Sequence, residues 1–361
     1  MINGFVSDGE GVRISGSQNV VTGSYIGLDP TGAAAVPNRF NGVSIDTGTG
    51  NRIGGRTAPE RNVISGNQAN GLHSFGIGSG GNVVEGNFIG TDRTGTVDIG
   101  NGVEGVLLDL GAPNTVIRGN VVSGNGAFGV FIRGDGNTVQ GNLVGTDATG
   151  TAPLGNDSGG VILRASPNSE DADGNRITLN VVSANAFGVQ FASDAGFNVE
   201  ADDNLVLYNL IGTDAKGKVA PGMGNSNVGV LYRNRGTGNV IARNVIAGNG
   251  ATAQSAGVGI LGDGSAVELN EVFRNLGQGI DVGSGSGNII RRNRLRENGK
   301  DGIFLGFTTS SNSIVENFLR ANLEHDCHDN STGSGTAGTA NTWRGNNGQT
   351  SQPPGLCVPG G

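Results

Sequence analysis

The stretch GVLLDLGAPNTVIRGNVVSGNGAF, residues 105–128, contains one complete unit of a repeat that runs through the chain. The unit opens with glycine and alternating apolar residues, a pattern that returns at positions 11, 42, 129, 160, 188, 229, 259, 279 and 302. A second pattern, Asn-x-apolar-x-x-Asn, follows most of these openings, as in NVISGN at 62, NTVQGN at 137 and NRITLN at 175. One unit of 20 to 24 residues therefore holds three short strands.

The repeat predicts an all-β fold in which each unit forms one coil. Alternation gives every strand an inward and an outward face, and glycine and asparagine suit corners where φ is positive. Asparagines at equivalent corners can stack and hydrogen-bond along the coils. We therefore expect a single right-handed parallel β-helix of about 11 coils with three short parallel sheets. It is expected to span residues 1–322, with an irregular C-terminal cap at 323–361.

Composition excludes several classes of protein. The 361 residues include 69 glycines, carry a net charge of −8 and contain no apolar run near 18 residues. Nucleic-acid binding needs a basic face and a membrane span needs a long apolar run, so neither is expected. Cys327 and Cys357 lie in a tail poor in apolar residues, and we expect them to form a disulfide, as in a secreted protein. The sequence opens inside a repeat, so we expect a signal peptide and an N-terminal cap to precede Met1.

One loop occurs four times, as SYIGLDPTG at 24–32, NFIGTDRTG at 87–95, NLVGTDATG at 142–150 and NLIGTDAKG at 209–217. Each copy follows the last strand of a coil and lengthens that coil. Aspartate, threonine and glycine favour a tight Asx-type reversal, so we interpret Asp29, Asp92, Asp147 and Asp214 as structural. The alternatives are that the loops wall one side of a groove or form a repeated Ca²⁺ site.

The Asn-x-apolar-x-Gly-Asn units, the IGTDxTGT loops and the ending NTWRGNNGQTSQPPGLC resemble the right-handed parallel β-helix repeat proteins. More narrowly, they resemble the repeat regions of large secreted or surface-exposed bacterial proteins, over nearly the whole chain. The wider pectate-lyase-like superfamily includes lyases, polygalacturonases, alginate epimerases, tailspikes and adhesins, which implies extended carbohydrate ligands. The Asp-Pro-His-Glu motif of alginate epimerases and the Asn-Thr-Asp and Gly-His-Gly motifs of polygalacturonases are absent. The resemblance therefore transfers no catalytic residue.

Two outward columns are predicted on the strands that open with glycine. If Val106 and Leu108 face inward, Leu107 and Asp109 face outward. The same alternation gives a first column of Leu107, Phe131, Ile162, Gln190 and Leu231, and a second of Asp109, Arg133, Arg164, Ala192 and Arg233. Sugar rings stack on apolar surfaces and arginine binds carboxylate or sulfate groups in a fork. We interpret the columns as a ligand groove; the alternatives are a face covered by a loop or another chain, or a shifted alignment.

Two other patterns give weaker indications of a binding or catalytic site. Asp171, Asp173 and Asn175 alternate as at the start of a Ca²⁺ loop, but Arg176 replaces the expected glycine and Val182 the chelating glutamate. The run EHDCHD offers His325, Asp326, His328 and Asp329, whose spacing suits a metal or an acid–base pair, although a C-terminal cap is the preferred interpretation.

Basic residues form a further ladder before corner asparagines. It consists of Arg243, Arg274 and Arg292, ends in Glu316, and lies near Arg291, Arg294 and Arg296. We expect these side chains to be solvated or paired with acids such as Glu268 and Glu297, with an anion-binding patch as the alternative. Trp343 is expected to pack over the last coil, and His73 carries no interpretation.

Three functions are compatible with these patterns. The preferred one is a secreted or cell-surface bacterial rod that binds a polysaccharide or cell-surface glycan, in the manner of an adhesin. The second is a polysaccharide lyase, hydrolase or epimerase, for which Asp46, Asp109 and Arg133 are the first catalytic candidates. The third is a non-catalytic stalk that self-associates or joins flanking domains at its N-terminal end. No cofactor is firmly predicted, and Ca²⁺ is the only candidate.

Overall fold

The computed structural model describes residues 1–5, 9–166, 171–193, 200–233 and 236–358. Their strands form three parallel sheets of 13, 12 and 11 strands, in which each strand pairs with its equivalent in the next coil. The predicted all-β architecture with three short parallel sheets is confirmed. The described residues contain no α-helix, and their short 3₁₀ helices are Ala58–Glu60, Ile77–Ser79 and Thr336–Gly338. None of the helices described could cross a membrane.

Sheet 1 contains the strands that open with glycine: Val12–Ile14, Val43–Ile45, Leu72–Phe75, Val106–Asp109, Phe128–Ile132, Gly159–Ala165, Phe187–Ser193, Val228–Arg233, Ala256–Leu261, Gln278–Ser286, Ile303–Ser310, Cys327–Asp329 and Ser351–Gln352. Sheet 2 consists of Val20–Val21, Arg52–Gly54, Val83–Glu85, Val116–Arg118, Thr138–Gln140, Arg176–Thr178, Leu205–Leu207, Val240–Ala242, Ala266–Glu268, Ile289–Arg291, Ser313–Val315 and Thr342–Arg344. Sheet 3 consists of Tyr25–Ile26, Val63–Ile64, Phe88–Ile89, Val121–Val122, Leu143–Val144, Val181–Val182, Leu210–Ile211, Val245–Ala247, Glu271–Phe273, Arg294–Arg296 and Phe318–Arg320.

The core is a column of branched side chains inside the coils. In the unit at 105–128, Val106, Leu108, Ile117 and Val122 are 0% exposed and belong to one cluster that continues through the helix. Burying a side chain of this size contributes about 1.5–3 kcal/mol. Every coil supplies such residues, but only its neighbours can cover them, so the coils stabilise one another along the axis.

Asparagine ladders hold the corners of the coils. The corner between sheets 2 and 3 carries Asn62, Asn87, Asn120, Asn142, Asn180, Asn209, Asn244, Asn270, Asn293, Asn317 and Asn346, and we call this set the second ladder. Each Nδ2 in it donates to Oδ1 of the next asparagine at 2.9–3.1 Å. The corner between sheets 3 and 1 carries the set that we call the third ladder: Asn38, Asn67, Asn101, Asn125, Asn156, Asn185, Asn225, Asn249, Asn275, Asn298 and Asn322. It ends where Asn322 Nδ2 donates to Asp326 Oδ1 at 2.8 Å. The predicted stacking of corner asparagines is therefore present.

The glycine that opens each strand of sheet 1 is required by close packing against the third ladder. A Cβ atom on Gly105 would lie 2.6 Å from the carbonyl oxygen of Gly129 and 2.9 Å from Asn125 Nδ2. Both distances are shorter than ordinary contacts, so a larger residue would displace either the next coil or the ladder. The recurrent glycine in the sequence thus marks a close approach between backbone and ladder.

The four similar loops follow every second strand of sheet 3 between Tyr25–Ile26 and Leu210–Ile211. They follow Tyr25–Ile26, Phe88–Ile89, Leu143–Val144 and Leu210–Ile211, which alternate with loop-free strands in sheet 3. Each loop bonds to the next, since the amides of Arg93, Ala148 and Ala215 donate to the carbonyls of Gly32, Gly95 and Gly150 at 2.8–2.9 Å. The loops thus form a continuous wall over the outer surface of sheet 3, where Leu28, Val63, Phe88 and Val121 make a second hydrophobic cluster.

The aspartates organise their own loops. Asp92 Oδ1 accepts hydrogen bonds from Thr94 Oγ1 at 2.8 Å and from the amides of Thr96 and Val97 at 3.1 Å. Burial opposes ionisation of Asp92, but these hydrogen bonds prevail and lower its pKa. Because donors of the loop already surround this oxygen, the geometry agrees with a structural role. The proposed alternative of repeated Ca²⁺ sites stays a prediction.

Parallel stacking continues past residue 322. Cys327–Asp329 pairs with Ile303–Leu305 in sheet 1, and Thr342–Arg344 extends sheet 2. Cys327 and Cys357 form the expected disulfide. Trp343 faces inward within this last coil, is 5% exposed and donates from Nε1 to Asp329 Oδ2 at 2.8 Å. The segment predicted as a cap therefore contributes strands and core to the helix.

Candidate functional site

The outer face of sheet 1 carries one aligned row of side chains. Strand pairing places Leu107 beside Phe131, then Ile162, Gln190 and Leu231, which is the alignment predicted from the sequence. The row begins with Arg13, Ser44 and His73, and after Leu231 it continues through Gly259, Asp281, Phe304, His328 and Gln352. We call this set the outer row. At roughly 4.8 Å per strand, the sheet's 13 strands make the row roughly 60 Å long.

The middle of the outer row is apolar and closely packed. Phe131 and Ile162 are only 5% and 3% exposed, so these two predicted contact residues offer little surface. The ring of Phe128 packs edge-on against Phe131 with centroids 5.6 Å apart. The guanidinium of Arg133 lies 4.6 Å from the centroid of Phe131. Phe131 therefore supports Arg133, and the arginine presents the polar surface above it.

The second predicted column is also one row of the sheet. Pairing aligns Arg164 with Ala192 and Ala192 with Arg233. Arg133 follows the strand that pairs with Val106–Asp109, and its Nη1 donates to Asp109 Oδ1 at 3.1 Å. Arg133 and Arg164 therefore flank the outer row on neighbouring strands, and Arg233 flanks it two strands beyond Arg164.

His73 and Glu104 join Asp109 and Arg133 in a polar cluster. His73 Nε2 lies 3.8 Å from Asp109 Oδ2, which is too long for a hydrogen bond. Glu104 precedes the same strand, and the charges of Arg133 and His73 act on its carboxylate. Among the described residues, His73 Nε2 and Arg133 Nε are buried and have no hydrogen-bond partner. We call these four residues the sheet 1 cluster.

The two acids of the sheet 1 cluster differ in protonation. The close approach of His73, then the amide of Leu110 and the guanidinium of Arg133, hold the pKa of Asp109 at about 2 against the effect of its burial, so this carboxylate stays ionised. Burial raises the pKa of Glu104, and the nearby positive charges only partly offset that effect. One acid is therefore a permanent anion, whereas the other exchanges a proton more readily. Such a pair, beside an imidazole, can perform acid–base chemistry.

The structure separates Asp46 from this cluster. Asp46 Oδ2 accepts from Arg13 Nε at 2.5 Å near the N-terminal end of sheet 1. Asp46 lies two strands from Asp109, a separation of roughly 10 Å at the usual strand spacing. Of the three catalytic candidates, only Asp109 and Arg133 are brought together.

Sequence reasoning missed His73 and Glu104. Strand pairing places His73 directly beside Leu107, so the outer row extends to His73, whereas the column predicted from the sequence begins at Leu107. Its strand, LHSF, lacks the glycine-apolar opening in its clearest form, which hid the alignment. Glu104 is the residue immediately before the opening glycine of its strand, a position at the edge of the same face. Comparing that position between repeats would have identified it.

The Asp171, Asp173 and Asn175 pattern does not converge on one point. Asn175 is 0% exposed and its Oδ1 accepts from the amide of Asn137 at 2.8 Å, as a member of a corner ladder. Asp173 instead stacks between neighbouring coils, accepting from the amide of Asp202 at 2.7 Å. Burial and the adjacent carboxylates raise the pKa of Asp173. Asn175 and Asp173 therefore contact equivalent residues of neighbouring coils, and their alternation along the chain does not bring them together.

The arginine ladder divides between two corners. Arg243 and Arg292 precede asparagines of the second ladder, whereas Arg274 precedes one of the third, so the predicted single ladder is corrected. All three have positive φ, which turns their side chains outward. Arg274 Nε donates to Glu297 Oε2 at 2.6 Å and Arg292 Nε to Glu316 Oε2 at 2.7 Å. Arg291 pairs with Glu268. The expected pairing with acids is therefore present.

Comparison with known proteins identifies the architecture. No family model and no curated protein matches the chain. A double mutant of the periplasmic alginate epimerase AlgG aligns with a TM-score of 0.52 and 17% identity, covering 90% of this chain and 66% of that chain. The Dettilon tailspike protein aligns at 0.47 and 16%, covering 93% and 59%. The DFA-IIIase of Arthrobacter chlorophenolicus A6 aligns at 0.47 and 14%, covering 79% and 80%.

These values describe likeness of fold. The chain spans 59% of the length of the tailspike and 66% of that of the epimerase double mutant. The epimerase double mutant, like the three stacked sheets described here, has parallel strands that coil about one axis. The protein is therefore a right-handed parallel β-helix.

Proposed function

We propose that the outer face of sheet 1 binds an extended acidic polysaccharide. The observation that carries this proposal is the placement of Arg133, whose guanidinium stacks on Phe131 and is fixed by Asp109. Within the described part of the chain, its buried Nε has no partner. A planar donor that is held in place and keeps 29% of its side-chain surface exposed suits the carboxylate of a uronic acid or a sulfate group.

The length of the face supports a polymer over a single sugar. Leu107, Gln190 and Leu231 remain partly exposed in the outer row, and they continue the surface on either side of Phe131 and Ile162. Successive strands thus offer repeated, evenly spaced contacts to a chain that lies along the axis. The name of the epimerase that shares the fold indicates an acidic polysaccharide, alginate, and we carry that ligand class into the proposal.

A secreted or surface location is part of the same proposal. The disulfide between Cys327 and Cys357 suits an oxidising compartment outside the cytoplasm. Polysaccharides of cell walls and capsules are met in that compartment. Immunodetection of the protein in culture medium or on intact cells would support this location, and its exclusive recovery with cytoplasmic contents would contradict it.

The test of binding is calorimetric titration with polyuronates and with neutral glucans. Arg133→Ala should weaken polyuronate affinity about 10-fold or more, the usual value of a charge-assisted hydrogen bond. Arg61→Ala is the matched control, because Arg61 stacks 4.0 Å from the centroid of Phe88 on sheet 3, away from the proposed groove. Equal losses for both variants, or equal affinity for neutral glucans, would reject the assignment to this face.

The sheet 1 cluster favours a second candidate function, β-elimination or epimerisation of the bound polymer. Both reactions begin when a base removes the proton next to a uronate carboxylate whose charge a cation neutralises. In elimination an acid then protonates the departing glycosidic oxygen. His73 could act as the base and Arg133 as the cation. Glu104, with its raised pKa, could act as the acid.

Incubation with polyuronates separates the two functions. New ultraviolet absorbance from unsaturated ends would report elimination, and a changed ratio of uronate epimers by NMR would report epimerisation. Either signal should disappear in His73→Ala while Arg61→Ala retains it. Tight binding without product would reject the catalytic function and leave the binding function in place.

A further inference from the structure

A second polar cluster lies on the same sheet near its C-terminal end. Asp301, His325 and His328 meet there, with His325 Nδ1 3.0 Å from Asp301 Oδ1 and His328 Nδ1 3.1 Å from Asp301 Oδ2. The potential ligand atoms of the three residues all lie within 4.8 Å of one another. Asp301 is 2% exposed, so its carboxylate is removed from water. The chain segments that carry these residues belong to consecutive coils.

The EHDCHD run contributes only its histidines to this cluster. Asp326 ends the third ladder, accepting from Asn322 Nδ2 at 2.8 Å and from the amide of Gln349 at 2.8 Å. Asp329 accepts from Trp343 Nε1 at 2.8 Å. Both acids are therefore occupied inside the last coil. The carboxylate that faces the imidazoles comes instead from Asp301, one coil earlier.

Acceptor atoms without donors lie beside the cluster. Asp281 belongs to the outer row two strands before His328, and its charge interacts with that of Asp301. Gln278 is 9% exposed and occupies the strand before the Asp301 coil. Within the residues described by the structure, Asp281 Oδ1 and Gln278 Oε1 are buried and lack any partner. Buried oxygens that lack donors, next to a buried carboxylate, mark a place suited to a cation.

Asn330 fixes the orientation of one imidazole. His328 Nε2 lies 3.1 Å from Asn330 Oδ1, an oxygen that can only accept. When Nε2 donates to this oxygen, the neutral ring directs the Nδ1 lone pair toward Asp301. A lone pair facing a carboxylate is unfavourable unless a proton or a metal ion lies between them. Holding the outer N–H of a histidine by a carbonyl oxygen is also how metal-binding histidines are commonly oriented.

We propose that Asp301, His325 and His328 bind a divalent transition metal ion of the zinc class. Two imidazole nitrogens and one carboxylate oxygen are ligands that Zn²⁺ prefers. Tetrahedral ligands at about 2.0 Å from zinc are roughly 3.3 Å apart. Each imidazole Nδ1 lies near that distance from a different oxygen of Asp301, His325 at 3.0 Å from Oδ1 and His328 at 3.1 Å from Oδ2. The ion would join consecutive coils at the end of the helix. Three protein ligands leave one position for water or for a nearby oxygen.

The test uses the full chain without a histidine tag, stripped with a chelator and titrated with Zn²⁺ alone by calorimetry. The parent protein should bind one equivalent. Asp301→Asn and His328→Ala should lose about 100-fold or more in affinity, and Asn330→Ala about 10-fold, the usual effect of removing an orienting partner. His73→Ala is the matched control, because it removes the histidine of the sheet 1 cluster, and it should bind as the parent does.

Two further measurements keep the result decisive. His325→Gln alters the most exposed ligand and should fold normally by circular dichroism while binding zinc more weakly. Co²⁺ bound to the parent should give the visible absorption of tetrahedral coordination. Absence of zinc binding to the folded parent, or undiminished binding by His328→Ala and His325→Gln, would show that the proposal is wrong.

Discussion

Buried side-chain amides of the second ladder are hydrogen-bonded to one another, whereas several buried polar atoms on the outer face of sheet 1 have no partner among the described residues. In the second ladder each asparagine amide donates to the next residue of the ladder, from Asn62 to Asn346. On the outer face, several buried polar atoms lack a partner among the described residues; they belong to His73, Arg133, Gln278 and Asp281. Buried polar groups in native proteins are nearly always paired. The second ladder is therefore complete within the fold, whereas the outer face has polar atoms available to the ligand and the metal ion proposed above.

The largest effect is expected from breaking the second ladder at its centre. Asn209 Nδ2 donates to Asn244 Oδ1 at 3.0 Å and to the carbonyl of Ile177 at 2.8 Å. Its Oδ1 accepts from Asn180 Nδ2 at 3.0 Å. Asn209→Ala leaves several buried groups unpaired, so the free energy of unfolding should fall by about 3 kcal/mol. Urea denaturation followed by circular dichroism measures this loss.

Asn175→Ala is the matched control for that experiment. Asn175 is equally buried, but its Nδ2 has no partner in the described structure. The loss of stability should therefore be smaller, about 1 kcal/mol. Equal losses for the two variants would contradict the distinction between complete and incomplete ladders.

Reduction of the disulfide tests the end of the third ladder. Asp326 closes that ladder and adjoins Cys327, which is linked to Cys357 across a separation of 30 residues. A loop of this length stabilises the folded state by about 3 kcal/mol. Because coils contact only their neighbours, hydrogen exchange should accelerate first in the strands after Ile303. Acceleration that begins in N-terminal coils would disagree with this view.

A smaller and pH-dependent effect is expected on the outer face. The pKa of Asp109 is lowered to about 2, so its stabilising contribution is present above the unfolded pKa and lost as pH falls from about 4 to 2. Asp109→Asn should lower stability at pH 7 by about 1 kcal/mol, since the group is partly screened by water. Melting curves of parent and variant should converge at pH 2. A difference that persists there would have another cause.

The smallest expected effect has the opposite sign. Burial raises the pKa of Glu104, so its charged form destabilises the fold once pH exceeds the folded-state pKa. Glu104→Gln should therefore raise the melting temperature at pH 8 by about 1 °C and leave it unchanged at pH 3. A variant that is less stable than the parent at pH 8 would mean that the surroundings of Glu104 do not disfavour its charged form. In that event the acid role proposed for it would lose its support.

Much of the outer face could be aligned from the sequence, but its chemistry could not. The row from Leu107 to Leu231 follows from counting residues after each opening glycine, because strand pairing keeps equivalent positions together. The same counting did not predict how much of each side chain is exposed to solvent. Phe131 and Ile162 point outward yet are almost fully buried, because outward direction says nothing about what packs on the face.

The sequence by itself determined the coil, its three strands, the corner asparagines and the disulfide between Cys327 and Cys357. These features depend on residues within one repeat or on simple periodicity, which the chain displays directly. Only the tertiary structure decided which ionisable groups meet. His73 reaches Asp109, and His328 reaches Asp301, across coils whose lengths vary with their loops. The contact partner of a side chain in a solenoid lies one coil away, so the length of each coil fixes the chemistry of the surface.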